Sequence, residues 1–109
     1  MMSDSNLDSL WTIVDALRHR FPDGNDPFQA ITRLAEECGE LAREVNRMEN
    51  SGIKHAKHGP PEKAYLAREV KDCLGAAPQL VRLYGIEEEF RQAFATSQTK
   101  AEALLAQNG

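Results

Sequence analysis

A chain of 109 residues with a formal charge of −4, 41% hydrophobic and 28% charged, makes one domain near the lower end for a self-sufficient core. The acidic balance argues against binding a nucleic-acid polymer through the overall field, and no run of eighteen apolar residues is present to span a membrane. The start, Met1-Met2-Ser3-Asp4-Ser5, lacks the positive and apolar regions of a signal peptide, and two cysteines make no disulfide framework, so a soluble, cytoplasmic protein is expected.

Apolar residues recur at alternating spacings of three and four along the whole chain, which is helical periodicity. The first helix is expected over 5–21, with the stripe Leu7, Leu10, Val14, Leu17 and Phe21. Ser5 with Asp8 resembles an N-terminal cap, and Pro22-Asp23-Gly24-Asn25 stops the helix. Asp26 caps the second helix, 27–50, with Pro27 at its first position and Gln29 reaching back. Its stripe is Ile31, Leu34, Cys38, Leu41, Val45 and Met48. A polar loop closes with Gly59-Pro60-Pro61. The third helix, 61–84, carries Leu66, Val70, Cys73, Ala77, Leu80 and Tyr84 and ends at Gly85. Pro78 removes a backbone donor and kinks it, and the small run Gly75-Ala76-Ala77 permits close helix approach. Glu87, Glu88 and Glu89 favour the start of the fourth helix, 87–106, whose stripe is Phe90, Phe94, Ala101 and Leu104. The expectation is an all-α, four-helix bundle-like unit built on a central antiparallel hairpin of the second and third helices. So much apolar stripe on so short a chain also predicts a homo-oligomer, a dimer or a tetramer.

Two segments repeat one chemical pattern. Glu37-Cys38-Gly39-Glu40-Leu41 and Glu69-Val70-Lys71-Asp72-Cys73 each place two carboxylates three residues apart beside an apolar stripe. At 100° per residue, each pair lies at roughly 260° and 200° around its helix, with the stripe spanning roughly 280° to 40°. In an antiparallel hairpin both acidic edges emerge on the same side, with a height mismatch of roughly 3 Å. Four carboxylate donors so arranged suit a hard divalent cation, Mg²⁺ or Mn²⁺. A phosphate-directed, metal-dependent enzyme is the function class this favours over a pair of solvated acidic faces.

The string Glu36-Glu37-Cys38-Gly39-Glu40, followed after 28 residues by Glu69-Val70-Lys71-Asp72, resembles the EExxE…ExxD signature of MazG-like nucleotide pyrophosphohydrolases. The resemblance runs from about Leu7 to Lys100. It implies an all-α oligomer that hydrolyses nucleoside triphosphates to monophosphate and pyrophosphate with Mg²⁺. It also implies Glu37, Glu40, Glu69 and Asp72 as metal ligands, with Glu36 completing the motif. Glu36 falls about 40° beyond Glu40 around the helix and is the candidate to orient or deprotonate water. The family's basic stretch in the last helix is reduced here to Lys100, so Lys54 and Lys57 of the polar loop join it as candidate phosphate contacts, with Lys71 or Arg68 as other sources of positive charge. A phosphoribosyl-ATP pyrophosphohydrolase, or a helical interaction module with a relict metal site, are the alternatives. Cys38 and Cys73 read as small buried residues. Arg33, Arg43 and Glu44 read as solvated or in surface ion pairs. Trp11, Phe21, Phe28 and Tyr84 read as core aromatics, or as surfaces on which a base stacks.

Overall fold

The computed structural model describes residues 4–49 and 62–108, and among them every regular element is helical. The elements are α1 (Asp4–Arg20), a 3₁₀ turn (Pro22–Gly24), α2 (Pro27–Met48), α3 (Lys63–Ala76), α4 (Gln79–Tyr84) and α5 (Glu87–Asn108). These are the four expected helices, the third divided in two. Among the described residues no helix is long and apolar enough to cross a membrane.

Local chemistry sets most of the boundaries. α1 begins at Asp4, so its helical span includes Ser5. The Asn25 amide donates to the Arg18 carbonyl at 3.0 Å and closes the end of α1. Asp26 Oδ1 accepts from the Gln29 backbone N–H at 2.9 Å, capping α2 with Pro27 in its first turn. Gly85, at φ 63° and ψ 38°, ends α4 in the left-handed region, and the Ile86 N–H reaches back to the Val81 carbonyl at 3.1 Å. Between α3 and α4, Ala77 and Pro78 keep right-handed helical angles. The chain therefore kinks without reversing, because the missing Pro78 donor interrupts the ladder.

Val14, Ala30, Ala76 and Val81 form the buried apolar core. A methyl group added at Gly75 would sit 3.8 Å from Ile13 Cγ2, so α1 lies in close contact with the small run that includes Gly75 and Ala76. Arg82 ties three helices together. Its Nε and Nη2 donate to Asp15 Oδ1 and Oδ2 at 3.0 and 3.1 Å, and its Nη1 donates to Glu87 Oε2 at 3.2 Å. The same guanidinium lies 4.2 Å from the Trp11 ring centre.

The α2–α3 pairing runs antiparallel, since Arg47 meets Tyr65, Glu40 meets Glu69, and Cys38 meets Cys73. The rotational setting corrects the expected stripes. On α2, the buried or half-buried residues include Ala30, Leu34, Glu37, Glu40, Leu41, Glu44 and Met48, whereas Ile31 and Val45 are 49% and 45% exposed and Cys38 is exposed. Val70 on α3 and Ala77 just after it are exposed, while Glu69 and Asp72 are half-buried. Residues 30, 37 and 44 form a row seven apart, and 31, 38 and 45 form the neighbouring row. A row turned toward a second partner has the same periodicity as one turned toward the hairpin, so counting apolar residues picked the wrong one.

The C-terminal helix differs from the rest. Phe90 packs edge-to-face against Trp11 and Phe94, at ring separations of 5.9 Å. From Arg91 to Gln107 every residue is exposed, Leu104 and Leu105 included. Tyr84 and Ile86, just before α5, are exposed as well. The radius of gyration is 16.9 Å, against about 13 Å for a compact chain of this length.

Candidate metal centre

Carboxylate oxygens of Glu37, Glu40 and Glu69 lie within 4.8 Å of one another. Helical spacing puts Glu37 and Glu40 one turn apart on α2, and the antiparallel register sets Glu69 of α3 opposite them. The rotated packing brings them together by moving the carboxylates from the edge of the stripe into the seam. Glu37 Oε2 and Glu69 Oε2 are buried, and each lacks a hydrogen-bond partner among the described residues.

That arrangement is costly without a counter-charge. Burial first, then the charges of Glu40, Asp72, Glu69 and Glu36, push the Glu37 carboxyl above its ordinary value. Burial also raises Glu69, followed by the charge of Glu40 and a hydrogen bond shared with it, while Arg68 pulls the other way. Orphaned buried carboxylate oxygens facing one another fit a hard divalent cation, which takes oxygen ligands and cancels their repulsion.

Asp72 stands apart from the three. It is half-buried, and its Oδ1 accepts a 2.7 Å ion pair from Lys71 Nζ. It is near enough to raise both Glu37 and Glu69, yet its oxygens are not among those that converge. Glu36 is exposed and lines a cleft of about 320 Å³ with Phe28, Gln29, Thr32 and Arg33. Phe28 is 82% exposed at this cleft, whereas Phe21 sits between the guanidiniums of Arg20 and Arg33, 5.2 and 5.4 Å from its ring centre. Lys100 is exposed on α5 and lines neither of the two clefts beside the carboxylates. Lys54 and Lys57 lie outside the described residues. The Cys38 and Cys73 thiols are neighbours across the seam, and burial, then Cys38, pushes the Cys73 thiol up, away from the reactive thiolate. Cys38 is exposed, correcting its reading as buried.

A second cleft of about 320 Å³ opens on the other side of the carboxylates, lined by Glu40, Arg43, Glu44, Arg47, Tyr65, Arg68 and Glu69. Glu44 was expected at the surface, but only 8% of it is exposed, and Arg47 Nη1 holds its two oxygens at 3.1 and 2.9 Å. The Tyr65 ring lies beneath two guanidiniums, 6.0 Å from Arg47 and 5.1 Å from Arg68. The signal for Glu44 was present in the sequence, seven residues from Glu37 and three from a basic partner. Compared with family models, curated proteins and solved structures, the chain matches none of them.

Proposed function

We propose that this chain is a Mg²⁺-dependent, MazG-like pyrophosphohydrolase that converts a nucleoside triphosphate to its monophosphate and pyrophosphate. The observation that carries the reading is the convergence of Glu37, Glu40 and Glu69 within 4.8 Å, two of their oxygens buried and unpartnered. Those three residues would hold the ion, Mg²⁺ or Mn²⁺, with Asp72 joining them on leaving Lys71. Bound there, the ion supplies positive charge to the phosphate oxygens and makes the phosphorus more electrophilic. Glu36, exposed beside the cluster, orients a water and accepts its proton as the oxygen bonds to the α-phosphorus. The α–β bridging oxygen departs with pyrophosphate. Phe28 offers an exposed ring for a base on the same side as Glu36.

A second copy of the chain belongs to this reading. Ile31, Val45, Val70, Leu74, Phe94, Leu104 and Leu105 are too many exposed apolar side chains for so small a core. A homodimer, or a tetramer of such pairs, would cover them and complete a helical bundle around α5.

The test is pyrophosphate release with Mg²⁺ across common and modified nucleotides, run in ¹⁸O-water with the products separated. The proposal expects label in the monophosphate, none in the pyrophosphate, and no orthophosphate. A nucleoside diphosphate with free orthophosphate would refute the assignment. Stepwise γ-phosphate removal normally uses a glycine-rich loop and lysine at a helix start, and no G-x-x-x-x-G-K-[ST] occurs here.

A further inference from the structure

We propose that the cleft lined by Arg43, Arg47, Arg68 and Tyr65 is the subsite for the terminal phosphates of the substrate, and retains pyrophosphate after cleavage. The inference rests on the carboxylate-bound cation of the proposed function, and it assigns a place to the part of the substrate that leaves.

Continuity of the two sites comes first. Glu40 and Glu69 belong both to the converging carboxylates and to the wall of this cleft. A phosphate chain that meets the cation there has the arginines directly beyond it. Along α2 the distance from Glu40 to Arg47 is about 10 Å, enough for two further phosphates.

Charge gives the second argument. The cleft is lined by three glutamates and three arginines. Glu44 and Arg47 neutralise each other through their bidentate contact. A divalent cation on Glu37, Glu40 and Glu69 cancels two of their three charges, and two further arginines outweigh the one left. Arg43 and Arg68 then remain, both exposed and neither in an ion pair among the described residues. The cleft therefore becomes cationic once the cation is in place, the condition under which a magnesium-bound polyphosphate arrives.

Preorganisation is the third. The Arg68 guanidinium lies 5.1 Å from the Tyr65 ring centre, a contact that narrows its range, and a planar fork suits phosphate oxygens better than a mobile ammonium. A volume of about 320 Å³ is small for a whole nucleotide and suits a polar fragment of one.

Inorganic pyrophosphate is the probe. Its affinity is measured by calorimetry on the full chain with Mg²⁺, for the wild type, Arg43→Ala, Arg68→Ala, Arg68→Lys and the control Arg91→Ala on α5. The expected result is about tenfold weaker binding for each alanine variant, a smaller loss for Arg68→Lys, and no change for Arg91→Ala. In the hydrolysis assay, Arg43→Ala and Arg68→Ala should raise KM more than they lower kcat. Unchanged pyrophosphate affinity in both alanine variants overturns the subsite, as does failure of the wild type to bind pyrophosphate at millimolar concentration. The two readings separate cleanly. Hydrolysis that survives with arginine-independent pyrophosphate binding keeps the enzyme and removes the subsite. Arginine-dependent pyrophosphate binding without hydrolysis keeps the subsite and removes the enzyme.

Discussion

The α2–α3 seam and the C-terminal helix α5 invert the usual placement of charge and apolar surface. In the seam, Glu37, Glu44 and Glu69 are half-buried or buried between two helices. On α5, Phe94, Leu104 and Leu105 are 43%, 59% and 66% exposed. Burial of apolar area stabilises a fold at about 25 cal/mol per Å², and burial of unpaired carboxylates destabilises it. The seam thus gives up stability where it gathers charge, and α5 leaves apolar area unburied. On the proposed function, the difference separates a part of the chain that would carry chemistry from a part that would carry assembly.

The comparison breaks most visibly at the seam. Glu40→Gln should lower pyrophosphate release at least about 100-fold while the far-ultraviolet circular dichroism stays helical, because it removes a ligand and leaves the shape. Next comes α5. Leu104→Asp combined with Leu105→Asp should halve the mass measured by light scattering and leave the α2–α3 pairing intact, since neither residue touches it. Wild type that is already monomeric at micromolar concentration would contradict the assembly half of the comparison.

A smaller effect belongs to the connection between the two regions. Gly85→Ala forces a Cβ into the left-handed region at φ 63° and should cost about 1 kcal/mol, lowering Tm by about 4–8 °C. Hydrolysis per folded molecule should not change.

The shallowest expected effect is the pH trend. Glu37 and Glu69 titrate higher folded than unfolded, so the metal-free native state holds more protons. Their contribution to stability is present at low pH and is lost as pH rises from the ordinary carboxylate range through the raised native values. Glu87 works in the opposite sense, because its own backbone N–H and Arg82 hold it below the ordinary value, and its contribution is lost as pH falls. Thermal melts without metal should therefore fall from pH 5 toward neutrality in the wild type. The combined Glu37→Gln and Glu69→Gln variant should lose that fall and keep the Glu87 trend, which lies below the ordinary carboxylate value of 4.5.

Much of this was legible in the sequence where one residue's own chemistry decides. The Asp26 cap, the Gly85 terminus, the Pro78 kink and the four helices each follow from local rules. The register that opposes Glu40 to Glu69 was readable too, because counting residues back from the connecting loop along each helix fixes height in a hairpin. Rotation about the helix axis was not. Ile31-Cys38-Val45 and Ala30-Glu37-Glu44 differ by one residue, and the choice between them depends on what else covers the helix. The same ambiguity hid the second cleft. Glu44 and Arg43 look like ordinary surface charges until the packing turns one inward and leaves the other at its mouth. Asp72 followed the motif in position, but its carboxylate pairs with Lys71 and is not among the three that meet.

The most direct test of the central claim is a thermal melt of the wild type and Glu37→Gln, each with and without millimolar Mg²⁺ or Mn²⁺. If the seam is a cation site, the metal raises the wild-type Tm, the variant loses most of that rise, and the variant without metal melts above the wild type without metal. Equal metal-induced shifts in both proteins, or a metal-free variant that melts below the wild type, would contradict it.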